Sequence, residues 1–237
     1  MRYISVVLLI FLVIISTNPL LAQEDSLGIL GLGISIDPTG ASQIVYVQNS
    51  WDDYQAPLTN VSAVRFYVPI NVTNRFRLEP SFGLYSSSST NKDNSFPSSS
   101  TTDASSVSTI GIRGTYNSPI SNSLIFYFGP RLEFAFVSSK HEYSYIASYP
   151  SAYIPTDNKT TSTETDITFG GVVGVEYFPI RKFSIGGEIN LNYITFGNPN
   201  ITYDDSPSPA SPVINTTNRD QYTLYTGVLF FLRWYFL

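Results

Sequence analysis

The alternation of apolar and polar side chains most constrains what this chain can fold into, and it dominates the sequence after Leu27. From Phe126 to Phe136 the even-numbered positions carry Phe, Pro or Leu, whereas the odd-numbered positions carry Tyr, Gly, Arg, Glu and Ala. A period of two is the period of a β-strand that has one apolar and one polar face. The same period recurs in three further runs, Phe76–Leu84, Phe183–Tyr193 and Tyr222–Phe236.

Four weaker alternating runs bring the number of predicted strands to eight. They lie at Gly28–Ile36, Val61–Ile70, Ser105–Tyr116 and Thr165–Phe178. The predicted strands have about 9 to 16 residues, and a tilted strand needs about 9 to 11 residues to cross a bilayer. The segment Gln43–Gln48 also alternates weakly, so it could lengthen the first hairpin or add strands.

The connections between the predicted strands alternate between short and long. The short ones are Asn71–Arg75, Asn117–Ser123 and Pro179–Lys182, and each follows or contains a Pro-Ile pair. Proline has no N–H to donate to a ladder, so it suits the end of a strand. The long ones are Asp37–Asn60, Ser86–Ala104, Ser138–Glu164 and Gly197–Asp220. Short turns at one end and long loops at the other are typical of an outer-membrane barrel, whereas a secreted β-sandwich would scatter its loop lengths.

The composition fits strands with one apolar face in a membrane. Aromatic residues make up 15% of the 237 residues and charged residues 13%, and the mean hydropathy of +0.03 is too low for a bundle of membrane helices. A membrane-embedded chain of this kind must form a closed sheet. The net charge of −5 argues against a nucleic-acid partner, which requires a basic surface. The absence of cysteine excludes disulfides, thiolate-ligated metals and a lipid anchor on cysteine.

The first 22 residues predict a cleavable signal peptide. Arg2 supplies the positive charge before an apolar run from Val6 to Ile15, and Ala22 offers a cleavage site. This run is much shorter than the roughly 20 residues that an uncleaved membrane anchor would need. We therefore expect a barrel domain over residues 23–237 that is exported to the cell outer membrane.

The polar faces of the strands carry arginine and glutamate side chains that could pair. These residues are Arg65, Arg77, Glu79, Arg113, Arg131, Glu133, Glu176, Glu188 and Arg233. Arginine suits desolvated carboxylate pairs better than the strongly hydrated lysine, and the lysines all fall in predicted loops or turns. We expect the nine residues to form a structural, salt-bridged plug in the periplasmic half of the lumen. Glycines on the same faces, such as Gly33 and Gly174, leave room for bulky neighbours, and eight strands enclose a space that side chains can fill.

The signal peptide, the alternating strands and the C-terminal run Tyr222–Leu237 together resemble the small outer-membrane β-barrel family of Gram-negative bacteria, the OmpA/OmpX-like barrels of the porin superfamily. The resemblance implies an eight-stranded antiparallel up-and-down transmembrane β-barrel surrounded by outer-membrane lipid. It also implies that the barrel-assembly machinery reads aromatic residues at the end of the last strand, here Trp234 and Phe236. The chain departs from the family pattern in ending on Leu237, and we expect no peptidoglycan-binding domain after the barrel.

Candidate catalytic and metal sites are few. His141 lies beside Glu142 in the third long loop with serines nearby, so an enzyme that acts on lipid at the barrel rim could use it. A single histidine among loop serines, without a nucleophile-elbow motif, is also expected by chance. The acidic pairs Asp52-Asp53 and Asp204-Asp205 lack the spaced oxygen ligands of a Ca²⁺ loop. We predict no catalytic residue, no cofactor and no metal site.

Together these features predict a non-enzymatic integral outer-membrane protein, whose barrel is an anchored scaffold and whose outer loops make any contact with a surface ligand. The tyrosines of the third loop, including Tyr143 and Tyr145, suit recognition because they are rigid and amphipathic. The alternative is a narrow porin or transporter for small solutes, which requires a continuous water path past the charged side chains. The rim enzyme that uses His141 is the third hypothesis.

Overall fold

The computed structural model describes residues 29–36, 44–46, 57–59, 64–93, 99–149, 152–206, 213–216 and 222–236. The predicted signal peptide lies outside these residues. The described strands are β1 (Gly31–Ile36), β2 (Ile44–Tyr46), β3 (Pro57–Thr59), β4 (Val64–Tyr67), β5 (Ile70–Asn71), β6 (Phe76–Asp93), β7 (Ser99–Ser121), β8 (Leu124–Tyr149), β9 (Ala152–Ile180), β10 (Phe183–Thr195), β11 (Asn200–Ser206), β12 (Val213–Thr216) and β13 (Tyr222–Tyr235).

Eight of the described strands are hydrogen bonded in a ring, and every pair is antiparallel. The order is β1, β4, β6, β7, β8, β9, β10 and β13, which pairs again with β1. The short strand β5 pairs with β6 beyond the break at Val68-Pro69. Pro69 has no N–H to donate to the ladder, but its carbonyl accepts from the Gly31 N–H at 3.0 Å. The predicted all-β, antiparallel barrel is confirmed.

The apolar faces of these strands point out of the ring and the polar faces point into it. Leu84, Phe169 and Leu224 expose 61%, 61% and 68% of their surface, whereas Glu79 and Arg233 are buried. Burying apolar surface stabilises a protein by about 25 cal/mol per Å², so a continuous exposed apolar belt favours a lipid surrounding over water. No helix among the described residues has the length and apolar character that a membrane span needs.

The prediction that Ser86–Ala104 and Ser138–Glu164 are loops is wrong. Strands β6 and β7 stay paired from Ser86↔Ser106 to Asp93↔Ser99. Strands β8 and β9 stay paired from Ser138↔Thr163 to Tyr149↔Ala152. Strands can pair through their backbones without an apolar face, and Thr and Tyr favour strands. Because these segments are polar on both faces, they show no alternation from which strands could be predicted.

The fourth predicted loop, Gly197–Asp220, also contains strands. Strand β11 extends the sheet from β9, pairing Asn200 to Ser206 with Thr163 to Asp157, and β12 pairs with β11. We call the extension of the sheet beyond the apolar belt the projection; it comprises residues 86–93, 99–106, 138–149, 152–164, 200–206 and 213–216. In the first long connection, β2 pairs with β3 as a separate two-stranded sheet, so the weak alternation near Gln43–Gln48 did mark added strands.

Candidate functional site

The period of the strands gathers charged side chains inside the ring. Arg77 and Glu79 are two residues apart on β6, so their side chains point to the same face. The inward faces of the other strands add Arg113 from β7, Glu176 from β9 and Glu188 from β10, and β13 adds Arg233. We call these six residues the turn-side cluster, because most of them lie toward the ends of the strands that are joined by short turns.

Glu79 and Glu176 are the centres of the turn-side cluster, and each accepts from several arginines. Glu176 Oε2 accepts from Arg77 Nη1 at 2.6 Å and from Arg233 Nη1 at 2.7 Å. Glu79 accepts from Arg233 Nη2 at 2.9 Å, from Arg77 Nη1 at 3.3 Å and from Arg113 Nε. Arg113 Nη1 also donates to Glu188 at 2.5 Å. Three arginines therefore face three glutamates, and the cluster is formally neutral.

Hydroxyl groups add hydrogen bonds to two of the glutamates, on the Glu176 oxygen that the arginines leave open and on the Glu188 oxygen that Arg113 also contacts. Ser184 Oγ donates to Glu176 Oε1 at 2.5 Å, and the Tyr235 hydroxyl donates to the same oxygen at 2.8 Å. The Tyr127 hydroxyl donates to Glu188 at 2.7 Å. Charged groups that are removed from water need such additional hydrogen bonds, because their mutual attraction alone does not offset the loss of hydration.

Aromatic rings surround the Arg233 guanidinium. Its central carbon lies 5.3 Å from the ring centroids of both Tyr67 and Tyr127 and 3.9 Å from that of Phe231. A cation over an aromatic face is stabilised by the ring quadrupole, and more strongly where water is excluded. Arg233 is thus held inside the ring by two carboxylates and three rings.

A second group of charges lies further toward the projection, and we call it the loop-side cluster. Glu133 accepts from Arg65 Nη2 at 2.9 Å and from Arg131 Nη2 at 2.6 Å. All three side chains are at least nine-tenths buried. Two arginines here share one glutamate, so this cluster carries a formal charge of +1, unlike the neutral turn-side cluster.

The space left between the two clusters is small. One cavity of about 20 Å³ is bounded by side chains that include Arg65, Arg113 and Arg131, and another of about 10 Å³ by side chains that include Glu133 and Asn192. A cavity of about 10 to 15 Å³ holds a single water molecule. These two cavities therefore have room for isolated waters and not for a solute.

Two glycines make room for the rings that fill the interior. A Cβ atom on Gly33 would overlap the ring of Tyr67, and a Cβ atom on Gly174 would overlap the ring of Tyr127. These are the tyrosines that stack on Arg233 and, for Tyr127, donate to Glu188. These two glycines are thus positions where a neighbouring ring occupies the place of a side chain.

Comparison with known protein families gives a match over most of the chain. A model of the outer membrane protein beta-barrel domain matches residues 7–218. The chain belongs to this family. A comparison with curated proteins finds no matching relative. Membership agrees with a ring whose apolar faces point outward and whose polar faces point inward, and it makes the protein an integral outer-membrane protein.

The outer-membrane barrel places all nine charged residues that the sequence singles out inside the ring, in two clusters. Sequence reasoning missed the residues that complete them: Tyr67, Tyr127, Ser184, Tyr235 and Asn71, whose Oδ1 accepts from Arg77 Nε at 3.0 Å. Four of the five lie on the same polar faces as the charges, so their position in the alternation was a usable signal. Their partners could not be read from the sequence, because those partners lie on other strands.

The two aromatic residues near the end of β13 lie on the lipid-facing side of the barrel. Trp234 exposes 50% and Phe236 40% of its surface. The ring of Trp234 packs at 5.9 Å from that of Phe183 on β10. Their recognition by the assembly machinery remains a prediction.

His141 lies in the projection, on β8, and its carboxylate partner is on another strand. His141 Nδ1 and Asp103 Oδ1 are 2.6 Å apart, and both side chains are partly exposed. The neighbour in sequence, Glu142, instead pairs with Lys140 at 2.5 Å on the opposite face of the strand. Among the described residues, no group of three or more His, Cys, Asp or Glu side chains could hold a metal ion.

Proposed function

We propose that the protein is a non-conducting scaffold that is anchored in the outer membrane and presents its projection at the cell surface. The observation that carries this proposal is the filled interior. The ionic side chains of the turn-side cluster are at most 11% exposed, and they are joined across the ring by the bonds to Glu79 and Glu176. A solute would have to break several of these buried ion pairs to pass.

The length of the strands supports the second half of the proposal. Strands β8 and β9 have 26 and 29 residues, whereas a tilted strand needs about 9 to 11 residues to cross the membrane. The lipid-facing apolar positions of β8 end at Phe136, and Ser138 begins a stretch that is polar on both faces. Roughly half of each strand is thus available outside the membrane, in a paired and therefore rigid form.

The aromatic residues at the end of β13 indicate how the barrel is inserted into the outer membrane. Trp234 and Phe236 point toward lipid, and aromatic side chains are enriched at the edges of membrane-spanning barrels. We infer that the barrel-assembly machinery recognises this end of the strand during insertion and that lipid covers it afterwards.

A catalytic role for His141 has one structural point in its favour, the contact with Asp103, because a carboxylate on Nδ1 orients a histidine base. A base also needs a nucleophile that it can activate, and no nucleophile-elbow motif accompanies His141 in the sequence. We therefore propose a non-enzymatic role, for which an unchanged phospholipid and lipopolysaccharide profile in cells with His141→Ala is the expected result.

Conductance of the refolded protein in planar bilayers tests the proposal. Co-flotation with liposomes first establishes that the protein has inserted. We expect inserted protein to show no stable unit conductance, because buried ion pairs join the strands across the lumen. Repeated, uniform conductance steps from inserted protein would overturn the scaffold and favour the narrow porin.

A further inference from the structure

The inner face of the projection is the sheet surface that continues the polar, lumen-facing side of the barrel. The pairing of β8 with β9 runs without a shift from Leu124↔Tyr177 to Tyr149↔Ala152. Odd-numbered residues of β8 therefore stay on the face of Arg131 and Glu133 along the whole strand. The ion pairs of the two lumenal clusters join residues of the ring below the projection, and none of their members belongs to the projection.

Aligned polar side chains cross this face in two neighbouring rows. The first row comprises Ser89, Asp103, His141, Thr160 and Tyr203, and the second comprises Asn91, Thr101, Tyr143 and Asn158. Adjacent strands are about 4.8 Å apart, so the first row extends across roughly 20 Å. The rows present hydroxyl, amide, carboxylate and imidazole groups, which together donate and accept hydrogen bonds.

An aromatic platform stands beside these groups. The rings of Tyr143 and Tyr145 stack with centroids 5.4 Å apart and planes inclined by 30°. Tyr143 remains 38% exposed. Because each ring covers one face of the other, the pair offers an outer ring face with a polar hydroxyl edge. A ligand that matches it is apolar on one face and rich in hydroxyls at its rim.

The two faces of the projection differ in their cations: the outer face carries lysines together with the acidic residues Glu142, Asp157 and Asp204, whereas the described inner face carries acidic residues and no lysine. Register places Lys92, Lys140 and Lys159, the lysines of the described projection, on the outer face. The inner face carries Asp103, Asp93 and Glu164. Phosphorylated or otherwise anionic ligands such as nucleic acid would need cations on the inner face, whereas neutral hydroxyl groups donate well to carboxylates.

We propose that the inner face of the projection binds a neutral glycan, with sugar rings stacked on Tyr143 and Tyr145 and sugar hydroxyls bonded to Asp103 and His141. The contact between Asp103 and His141 fixes the carboxylate for this role. The inference deepens the proposed function, since it gives the surface-exposed scaffold a class of ligand. A cationic peptide is the competing occupant, because the same carboxylates would attract it.

Binding of immobilised neutral polysaccharides by the full-length protein, refolded in detergent, tests the proposal. The probes are glucan, mannan and galactan, with oligolysine as the cationic comparison. We expect binding to at least one of the polysaccharides, a loss of about tenfold or more in affinity for Tyr143→Ala and for Asp103→Asn, and retention of most of the affinity by Tyr143→Phe. Lys140→Ala, on the opposite face of the same strand, is the matched control and should change the affinity less than twofold.

Three outcomes would overturn the glycan site: no binding to any of the three polysaccharides, equal losses for Tyr143→Ala and Lys140→Ala, or binding to oligolysine alone. Each variant must first show the compact, heat-sensitive gel band of a folded barrel, which separates loss of a site from loss of the fold. A protein that is folded and non-conducting but binds no glycan would remove this inference and leave the anchored scaffold in place.

Discussion

At the scale of single residues, the interior of this barrel depends on how many partners each buried charge has. Glu176 accepts from Arg77, Arg233, Ser184 and Tyr235, all at 2.8 Å or less. The Glu142–Lys140 pair is instead more than a third exposed. Removal of one partner from a buried network leaves the others charged and without water, whereas an exposed pair is readily replaced by solvent.

Replacement of Glu176 by Gln should therefore destabilise the barrel far more than the same replacement of Glu142. We expect a loss of about 3 to 5 kcal/mol in the free energy of unfolding for Glu176→Gln, and about 0 to 1 kcal/mol for Glu142→Gln. Urea titration of the protein in detergent micelles measures both. Equal losses would mean that the buried network does not stabilise the fold.

The loop-side cluster gives a second prediction, because its charges are unequal in number. Arg131→Met leaves Glu133 paired with Arg65, whereas Glu133→Gln leaves two arginines facing each other without an anion. We expect Glu133→Gln to lower the free energy of unfolding the most and Arg131→Met the least. The double variant should fall between them, because it leaves a single uncompensated arginine.

The same urea titration measures this order, and the double-variant cycle isolates the coupling between the two positions. Were Arg131→Met as damaging as Glu133→Gln, Glu133 would not be the shared partner of the two arginines. The loss of a cation from this cluster would then lower the free energy of unfolding as much as the loss of its anion.

At the scale of strands, the sequence predicts what lies in the membrane much better than what lies outside it. Inside the membrane one face must be apolar, so alternation marks strands such as Phe183–Tyr193, which the structure has as β10 (Phe183–Thr195). Outside the membrane both faces meet water, so Ser86–Asp93 and Ser138–Ser144 read as loops although they pair along their whole length. The signal was absent because its physical cause, burial of one face in lipid, was absent.

Protease resistance of the projection is the prediction at this scale. In the strand register Lys140 lies opposite Ala104 and Thr161, and Lys159 lies opposite Glu142 and Asp204. A protease needs an extended segment that it can take into its own cleft, and a residue within a paired sheet must first be released. We expect trypsin to cut intact cells at Lys140 and Lys159 at least about tenfold more slowly than it cuts the boiled protein.

Mass spectrometry of the released peptides measures the two rates, and the boiled protein shows that both sites can be cleaved. Rapid cleavage after Lys140 in intact cells, with the barrel still folded, would return this segment to the flexible loop that the sequence suggests. The glycan site would then lose its rigid platform as well.

At the scale of the whole molecule, the ring decides which charges meet. Arg233 and Glu79 are 154 residues apart in sequence, and Arg113 and Glu188 are 75 apart, yet each pair is bonded across the lumen. The sequence predicts that these side chains point inward, because that follows from their position in each strand. It cannot predict which of them pair, because that depends on the stagger between strands when the sheet closes.

The gel mobility of the protein in purified outer membranes, compared before and after boiling, tests whether the ring is a closed barrel in the outer membrane with its polar faces inside. We predict a compact, faster band before boiling that becomes slower after it, because a closed ring of hydrogen-bonded strands resists detergent until heated. A single band of unchanged mobility, or protein found in the periplasmic fraction, would instead indicate a soluble β-sheet protein whose arginine and glutamate faces are exposed to water.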